Sequence, residues 1–306
     1  MTKKIAVLSG GNSNERDISL LSGNTILTCL LKSGINAHLI DTKYFPIIQL
    51  PKQGFKTAFI ALHGKDGENG TIQAILTHLN IAYTGSKILS SAIAINKIKT
   101  KLLWKSINLP IIPYYCIDIK QFKTKIKNEL KHDVYSLGLP LIVKPNTEGS
   151  SIGITVVHSY NYLYDACIIA FKYDNNIIIE KFIYGLEYSV GILENDILPS
   201  IRICPNNIFY NYKSKYLSKN TEYFCPSGLD KKQEAKLQKI VKQAWTVLGC
   251  SGWGRIDVIM DNFKNFWLLE MNTCPGMTEH SLMPIAAKQF GMSIESLVLK
   301  ILKLAN

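Results

Sequence analysis

The chain begins with an alternation of apolar runs, glycine turns and helical spacing. Residues 5–8 are apolar, two glycines follow, and the spacing of apolar residues over about 15–31 predicts a helix. A second apolar run at 58–62 leads through the loop 63–70 into another predicted helix. Strands that deliver loops at their carboxyl ends build the binding crevices of open parallel sheets. The pattern therefore predicts an N-terminal α/β domain with an open parallel sheet over residues 1–95.

The next part of the chain, residues 96–182, combines short apolar runs with helical stretches and two proline-containing breaks. A helix is predicted at about 96–106 and a strand at 114–118. Beyond the second break, the apolar runs at 141–144 and 177–180 predict two more strands. Strand hairpins mixed with helices are typical of an α+β domain, so we predict a central domain here.

The C-terminal part, residues 183–306, has a strong helical pattern at about 231–248 and a predicted hairpin of 253–260 with 265–270. The stretch 205–227 has no clean periodicity and is rich in Asn, Lys, Ser and Tyr. A loop of this length in a compact domain is usually functional or disordered. We therefore predict a third domain that carries a long loop.

Length and cysteine usage limit the class of protein. A chain of 306 residues is long enough for two domains or three small ones. Its seven cysteines are scattered without a CxxC pair, which favours reduced thiols. The N-terminal apolar run is too short for a signal peptide, and no apolar run approaches the about 18 residues that span a bilayer. These features predict a soluble, cytoplasmic protein without a membrane anchor.

The net charge of +12 raises nucleic-acid or membrane-surface binding as a hypothesis. The lysines are dispersed along the chain rather than clustered, and Ile, Asn and Tyr are abundant beside them. This combination indicates a drift in overall composition rather than one basic face. We predict neither a nucleic-acid partner nor a membrane partner.

Three oxygen-bearing side chains near the C-terminus form a candidate metal site, and an arginine lies beside them. Side chains two apart on a strand share a face, so Arg255 and Asp257 point together, as do Glu270 and Asn272 on the partner strand. Two carboxylates and an amide select a hard cation such as Mg²⁺ or Mn²⁺, and Mg²⁺ in turn implies a phosphate-bearing substrate. The alternative is that Glu270 and Asn272 only end a strand and cap the turn at 273–276.

Two lysines and a glycine loop are candidates for phosphate binding. Lys144 ends an apolar strand and leads into the loop 148–153, where small residues let backbone N–H groups approach an anion. Lys97 on the preceding helix would be a second cation. The GxxxxGK[ST] pattern is absent, which excludes a P-loop. The alternative is an ordinary turn with solvated lysines.

Polar residues beside apolar ones at 179–187 are typical of a nucleotide base slot with a ribose-binding carboxylate. Glu180 and Lys181 lie at the end of an apolar strand, and Glu187 follows shortly after. The same pattern also fits a core strand, so the residues alone leave both interpretations open.

In this order the motifs resemble the ATP-grasp superfamily and, within it, the D-alanine–D-alanine ligases. Asp17, Asn69 and Met271 depart from the family's usual pattern, but none of these departures removes a presumed ligand. The resemblance covers nearly the whole chain and depends on the segments 8–16, 61–64, 83–86, 143–145, 148–151, 215–216, 269–273 and 275–278.

The resemblance implies a three-domain ATP-grasp architecture with boundaries at 1–95, 96–182 and 183–306. It also implies an ATP-dependent ligase that joins two D-alanines through a D-alanyl phosphate, for peptidoglycan precursor synthesis. The implied cofactors are two Mg²⁺ or Mn²⁺ ions at Asp257, Glu270 and Asn272. The positions implied to bind ATP are Lys97, Lys144, Glu180, Lys181, Ile183 and Glu187.

By the same resemblance, five residues have catalytic roles. Glu15 would orient the first D-alanine's ammonium and would join Ser150 and Tyr216 in one hydrogen-bonded set across the domains. Glu15 stands where a helix begins, and the positive end of the helix dipole favours the charged form of its carboxylate. Arg255 and the Gly276 N–H would stabilise the oxyanion of a tetrahedral intermediate.

Further positions are implied for the substrates. Lys215, Ser281 and Leu282 would hold the second D-alanine, and His63 would lie near the first. The alternative for His63 is a polar loop residue that packs against glycine. Tyr216 favours a dipeptide over an ester-linked product, and the family also implies a homodimer.

Two rival functions give different predictions. Another ATP-grasp carboxylate–amine ligase would share the nucleotide and metal residues but would lack a reason for Glu15, Ser150, Lys215 and Tyr216 together. A non-catalytic nucleic-acid binder would bind with strong salt dependence, but it would leave the carboxylate cluster unexplained.

Overall fold

A computed structural model gives the fold and describes residues 4–204 and 221–306. The N-terminal sheet has four parallel strands, β1 (Lys4–Ser9), β2 (Ala37–Asp41), β3 (Phe55–Ile60) and β4 (Ala82–Tyr83), in the order β2-β1-β3-β4. Its helices are α1 (Arg16–Lys32), α2 (Lys65–Glu68), α3 (Thr71–His78) and α4 (Ile88–Ile95). The parallel α/β opening is therefore confirmed.

The central sheet is antiparallel and also has four strands. These are β5 (Tyr114–Asp118), β6 (Leu141–Pro145), β7 (Thr155–Val157) and β8 (Asn176–Lys181), in the order β5-β8-β6-β7. The helices around it are α5 (Lys97–Ser106), α6 (Ile119–Thr124), α7 (Lys127–Val134) and α8 (Leu163–Phe171). Apolar side chains of β6 and β8 pack against α8 to form a separate core.

The third sheet is the largest of the described residues, with six strands. These are β9 (Gly185–Leu193), β10 (Asp196–Ile197), β11 (Ile201–Cys204), β12 (Glu222–Phe224), β13 (Trp253–Asp261) and β14 (Phe266–Asn272). The main path runs β12-β11-β9-β13-β14, and β10 pairs with β9. The helices are α9 (Lys231–Val247), α10 (Leu282–Gln289) and α11 (Ile294–Lys303). None of the helices in the described ranges has the length and apolarity that a membrane crossing requires.

Part of the loop predicted at 205–227 is a strand. β12 pairs antiparallel with β11, so the loop prediction is wrong for Glu222–Phe224. Tyr223 in this strand is half-buried and packs on the core, and the pairing with β11 adds the short segment to the edge of an existing sheet. Residues 205–220 lie outside the described residues.

The C-terminal helices pack on the N-terminal sheet rather than on the third sheet alone. α11 contacts α1, and Leu297 and Ile301 belong to the same buried core as Val7 and Leu30. Trp253 at the start of β13 lies in that core too. This packing places the connection between β14 and α10 against the carboxyl ends of the N-terminal strands.

Candidate active site

Among the described residues, two cavities on the third sheet have the size of a ligand site. The large cavity, of about 460 Å³, lies between the central and third sheets and is lined by Ile142 and Lys144 on one side and Ile259 and Leu269 on the other. The second cavity, of about 350 Å³, lies between α1, β13 and the start of α10. Its polar lining includes Arg255, Asp257, Gly276, Thr278, His280 and Ser281.

The two cavities meet at one pair of carboxylates. Asp257 lines the second cavity and Glu270 lines the large cavity, and the two residues are direct partners across β13 and β14. The pairing of Arg255 with Asn272 in the same ladder brings the three candidate metal ligands and Arg255 together. A group bound in one cavity therefore lies next to a group bound in the other.

Asp257 accepts four hydrogen bonds. Its Oδ1 accepts from Ser189 Oγ at 2.7 Å and Arg255 Nε at 2.9 Å, and its Oδ2 accepts from an Arg255 terminal nitrogen at 2.8 Å and Asn272 Nδ2 at 3.1 Å. These bonds fill the about four lone-pair positions of a carboxylate. Asp257 can ligate a cation only when one of these three donors, Ser189, Arg255 or Asn272, releases it.

The oxygen donors nevertheless fit a hard cation. Asn272 donates from its amide nitrogen to Asp257, which leaves the amide oxygen as a donor atom for a metal. Within 4–204 and 221–306, no three His, Cys, Asp or Glu side chains are grouped to hold a metal ion. A site here therefore requires the amide together with two carboxylates and phosphate or water oxygens, which is how Mg²⁺ is commonly held.

Lys97 lies beside the candidate metal site at the start of α5. Its Nζ is 3.5 Å from Glu270 and donates to the Glu148 carbonyl at 2.7 Å. The Lys97 side chain is almost fully buried, and it lines the large cavity together with Glu148 and Glu270. A cation placed this way attracts an anionic ligand to the junction of the two cavities.

Glu180 in the large cavity is held between two lysines. Its carboxylate is 3.0 Å from Lys101 Nζ and 2.8 Å from Lys144 Nζ. Burial alone would raise the pKa of Glu180, but the attraction of Lys101 and Lys144 outweighs it and lowers the pKa below its usual range. Glu180 is therefore an ionised acceptor on the cavity wall.

The flap, residues 146–153 between β6 and β7, closes onto the N-terminal sheet. Ser150 Oγ donates a short hydrogen bond to Glu15 Oε1, and Lys65 forms an ion pair with Glu148 at 2.5 Å. Ser150 has a φ of 50°, a conformation that L-residues adopt rarely and that other contacts must stabilise. The structure therefore places the Glu15 and Ser150 side chains in direct contact, whereas Tyr216 lies outside the described residues.

Glycines enclose the Glu15 carboxylate. A Cβ at Gly64 would lie 2.6 Å from Glu15 Oε2, and one at Gly149 would lie 3.0 Å from it. Gly64 also has a φ of 65°, so a larger residue there would be strained as well as crowded. The glycines of the loop 63–70 and of the flap thus leave room for this one carboxylate, which is 9% exposed.

His63 uses both ring nitrogens within the protein. Nδ1 lies 2.7 Å from the Cys274 carbonyl and Nε2 lies 3.0 Å from Ser22 Oγ, which also accepts the Met277 N–H at 3.1 Å. Burial lowers the pKa of His63, against the attraction of Glu15. The ring therefore holds the 274–277 segment, and His63 is not among the residues that line the two cavities.

Glu68, which sequence reasoning missed, holds the same segment from the other side. Its two carboxylate oxygens accept the Gly64 N–H at 3.1 Å and the Cys274 N–H at 3.0 Å. Burial raises the pKa of Glu68 to about 7, and the charge of Glu15 adds to the increase. The only available sequence signal was an acidic residue in a loop that follows a buried strand.

Comparison with known proteins identifies the family. Residues 103–303 match the family model for the D-ala D-ala ligase C-terminus. The chain belongs to this family. It is also 63% identical, over 100% of its own length and 99% of the relative's, to the D-alanine–D-alanine ligase of Buchnera aphidicola subsp. Baizongia pistaciae.

Solved structures of ligases have the same fold. The D-alanine–D-alanine ligase of Bacillus anthracis complexed with ATP matches with a TM-score of 0.85 and 28% identity, over 99% of this chain and 97% of that one. The VanG D-Ala:D-Ser ligase of Enterococcus faecalis matches with a TM-score of 0.84 and 26% identity, over 99% of both chains. Both matches confirm the ATP-grasp fold expected from the sequence.

The remaining candidate positions of this family member fall in or beside the cavities. Lys181, Ile183 and Glu187 line the large cavity, and Leu282 lines the second cavity. Ser281 accepts the Thr278 N–H at 3.0 Å and begins α10. Lys215 lies outside the described residues. Sequence reasoning missed the lining residues Ile18, Leu21, Thr25, Ile203, Tyr223, Thr278 and His280.

Proposed function

We propose that the chain joins two D-alanines to D-alanyl-D-alanine with the conversion of ATP to ADP and phosphate, in the cytoplasmic synthesis of peptidoglycan precursors. The observation that carries this proposal is the junction of the two cavities at Asp257 and Glu270. A nucleotide in the large cavity and an amino acid in the second cavity would face each other across this pair. The 63% identical relative named as a D-alanine–D-alanine ligase supports the choice of amino acid. The domain boundaries and the homodimer stay predictions.

The nucleotide would occupy the large cavity. Its apolar walls, which include Ile142 and Leu269, suit a flat base, and Lys97 and Lys144 supply positive charge for phosphates. The flap adds backbone N–H groups beside them. The Glu180, Lys181 and Ile183 positions would face the base, and Glu187 would face the ribose, since all of them line this cavity.

Two Mg²⁺ or Mn²⁺ ions would be held by Asp257, Glu270 and Asn272. Such ions, when bound, neutralise the negative charge of the nucleotide phosphates. The ladder that pairs Asp257 with Glu270 supports this assignment, as does the free oxygen of the Asn272 amide. Displacement of Arg255 from Asp257 would accompany binding, which would turn the guanidinium toward the second cavity that it already lines.

In the first step the carboxylate of one D-alanine attacks the γ-phosphorus of ATP. The bond between the γ-phosphorus and the β,γ-bridging oxygen breaks, and D-alanyl phosphate and ADP result. Glu15 orients the substrate ammonium, because its own carboxylate is fixed by Ser150 and enclosed by two glycines. Lys97 holds the transferred phosphoryl group near the junction of the cavities.

In the second step the amine of another D-alanine attacks the carbonyl of the acyl phosphate. The C–O bond to phosphate breaks, and the proton that the amine loses passes to the departing phosphate. Arg255 and the Gly276 N–H, both at the second cavity, stabilise the oxyanion. Ser281 and Leu282 would hold the attacking D-alanine at the second cavity, and the family resemblance assigns Lys215 to the same carboxylate and Tyr216 to the set of Glu15 and Ser150.

Phosphate release from ATP, measured with a panel of amino acids, tests this function. D-alanine should give the highest rate, and D-serine or L-amino acids should give little. Strong ATP turnover only with an amino acid other than D-alanine would contradict the proposal and favour another carboxylate–amine ligase. Tight, salt-sensitive nucleic-acid binding without any amino-acid-dependent turnover would favour the rival binding function.

A further inference from the structure

A lysine that does not line either cavity contacts the wall of the large cavity from behind. Lys101 on α5 is 0% exposed, and its Nζ lies 3.0 Å from Glu180 Oε1. Its ammonium also lies over the Tyr114 ring, 5.7 Å from the ring centroid. Among the described residues, Glu180 is its one ion-pair partner. A buried ammonium is costly, so its place here requires a compensating partner.

The helix explains why Lys101 and Lys97 have different roles. The two residues are four apart, so they lie on one face of α5. Lys97 lines the large cavity, whereas Lys101 lies deeper, between the Tyr114 ring and the carboxylate of Glu180. Of these two partners of Lys101, Glu180 is the one that lines the cavity, so Lys101 would act on a ligand there through Glu180.

The sheet register shows which part of the large cavity Glu180 faces. Glu180 pairs with Ile142 on β6 and with Tyr114 on β5, so these three side chains share one face of the central sheet. Ile142 lines the cavity and supplies an apolar wall there. Lys144 lies two residues further along the same face, toward the flap. If ATP binds here as proposed, its base lies beside Glu180 and the apolar wall of Ile142, which we call the base end, and its phosphates extend from Lys144 toward the flap.

We infer that Lys101 is a positioning residue that holds Glu180 as an ionised acceptor at the base end, so that the cavity selects a purine with an amino group at position 6 over one with an oxo group. The inference rests on the proposed binding of ATP in this cavity. It goes beyond that function because it assigns base selectivity to a residue that does not contact the nucleotide.

The selectivity follows from hydrogen-bond chemistry. A carboxylate accepts hydrogen bonds but donates none, so it pairs with a 6-amino group and is repelled by a 6-oxo oxygen. A protonated carboxyl group could donate to the oxo oxygen and would no longer discriminate. Lys101 and Lys144 contact separate oxygens of Glu180, and both favour its ionised form. Lys144 lines the cavity and can also bind a phosphate, whereas Lys101 does not line the cavity and, in the described part of the chain, forms an ion pair with Glu180 alone.

The test compares ATP with ITP, which has an oxo group in place of the 6-amino group. The variant Lys101→Met removes the charge and keeps an apolar chain of similar length. Lys105→Met is the matched control, because Lys105 is an exposed lysine on the same helix. For each protein, kcat/KM is measured for both nucleotides at saturating D-alanine and Mg²⁺, and the ATP and ITP dissociation constants are measured directly.

We expect the wild type to prefer ATP and Lys101→Met to lose at least about tenfold of that preference, mainly through weaker ATP binding. Lys105→Met should match the wild type. A wild type without preference, or an unchanged ratio in Lys101→Met, would overturn the inference.

A double-variant cycle covers the case in which Lys101→Met does not fold. Combining Lys101→Met with Glu180→Gln removes both charges and leaves no buried charge from this pair. If Lys101 acts through Glu180, the double variant and Glu180→Gln have the same ATP to ITP ratio. A further loss of preference in the double variant would contradict the inference.

The proposed function fails in a different way. A wild type that binds ATP in preference to ITP but does not turn it over with D-alanine would contradict the ligase proposal and leave this inference standing.

Discussion

The ring of His63 donates from Nδ1 to the backbone carbonyl of Cys274 at 2.7 Å, across 211 residues of sequence. The Ser22 hydroxyl accepts the Met277 N–H and lies 3.0 Å from His63 Nε2. Because a carbonyl oxygen can only accept, Nδ1 carries a proton, and burial lowers the pKa of His63 and so favours the neutral ring, whose Nε2 accepts from Ser22. They fix the backbone on both sides of Gly276, whose N–H is the proposed oxyanion donor.

The first prediction concerns the hydrogen bonds of His63 that fix the backbone around Gly276. His63→Gln should lower kcat about 10 to 100-fold, as outer-shell positioning partners do, with a smaller change in KM for ATP. The physical reason is that the Gly276 N–H loses its fixed position, whereas the large cavity is unchanged. Steady-state kinetics check this, with His132→Gln, an exposed histidine, as control. If KM for D-alanine rose by a similar factor while kcat stayed unchanged, the result would instead indicate that His63 contacts the substrate directly.

The second prediction concerns the pH dependence of stability. The pKa of Glu68 is raised to about 7 from 4.5, so the folded state binds a proton between these values that the unfolded state does not bind. Its contribution to stability is full below pH 4.5 and is lost as the pH rises through about 7. Relative to the wild type, Glu68→Gln should therefore have a higher free energy of unfolding at pH 8 than it has at pH 5.

Denaturant unfolding at the two pH values measures this difference, with the exposed Glu129→Gln as control. The same difference at pH 5 and pH 8 would show that Glu68 has an ordinary pKa. Because burial also lowers the pKa of His63, the wild-type profile alone would mix two opposing effects.

The third prediction concerns the bond between the flap and the N-terminal sheet. Ser150→Ala removes the hydrogen bond to Glu15 Oε1, and a bond to a charged group contributes about 1.5 to 3 kcal/mol. We expect a rise in KM for D-alanine of about 10 to 100-fold and a small change in KM for ATP. Ser136→Ala, at an exposed position, should behave as the wild type. A selective rise in KM for ATP would contradict the role given to Glu15.

The fourth prediction concerns the metal site. Glu270→Gln removes one of the two carboxylates at the junction of the cavities and should reduce turnover by more than about 100-fold, with the thermal unfolding midpoint little changed. The variant should also need a higher Mg²⁺ concentration for half-maximal rate. Wild-type turnover at low Mg²⁺ would refute the assignment. Glu129→Gln again serves as control.

Elements with strong periodicity could be predicted from the sequence. The helix at Lys231–Val247 and the hairpin of Trp253–Asp261 with Phe266–Asn272 agree with the prediction to within two residues. The α6 and α7 helices were not predicted, because they are short and lysine-rich and have little apolar spacing. The α10 helix has a proline in its first turn, where the missing N–H costs nothing.

Some residues of the site could likewise be predicted from the sequence, and others could not. The metal group follows from alternation on two strands, and the Glu15–Ser150 contact follows from the order of the family motifs. The partners of His63, the carboxylate of Glu68 and the buried Lys101 arise from tertiary packing that brings distant segments together. Nothing in the local sequence distinguishes Lys101 from the exposed lysines of the same helix.

Activation of a D-alanine carboxylate by phosphoryl transfer from ATP at the junction of the two cavities leaves an isotopic trace. D-alanine labelled with ¹⁸O in its carboxylate is incubated with the protein, ATP and Mg²⁺, and the released phosphate is analysed by mass spectrometry. We expect one ¹⁸O atom in each inorganic phosphate and none in ADP. Dipeptide formation with unlabelled phosphate would contradict the acyl phosphate route.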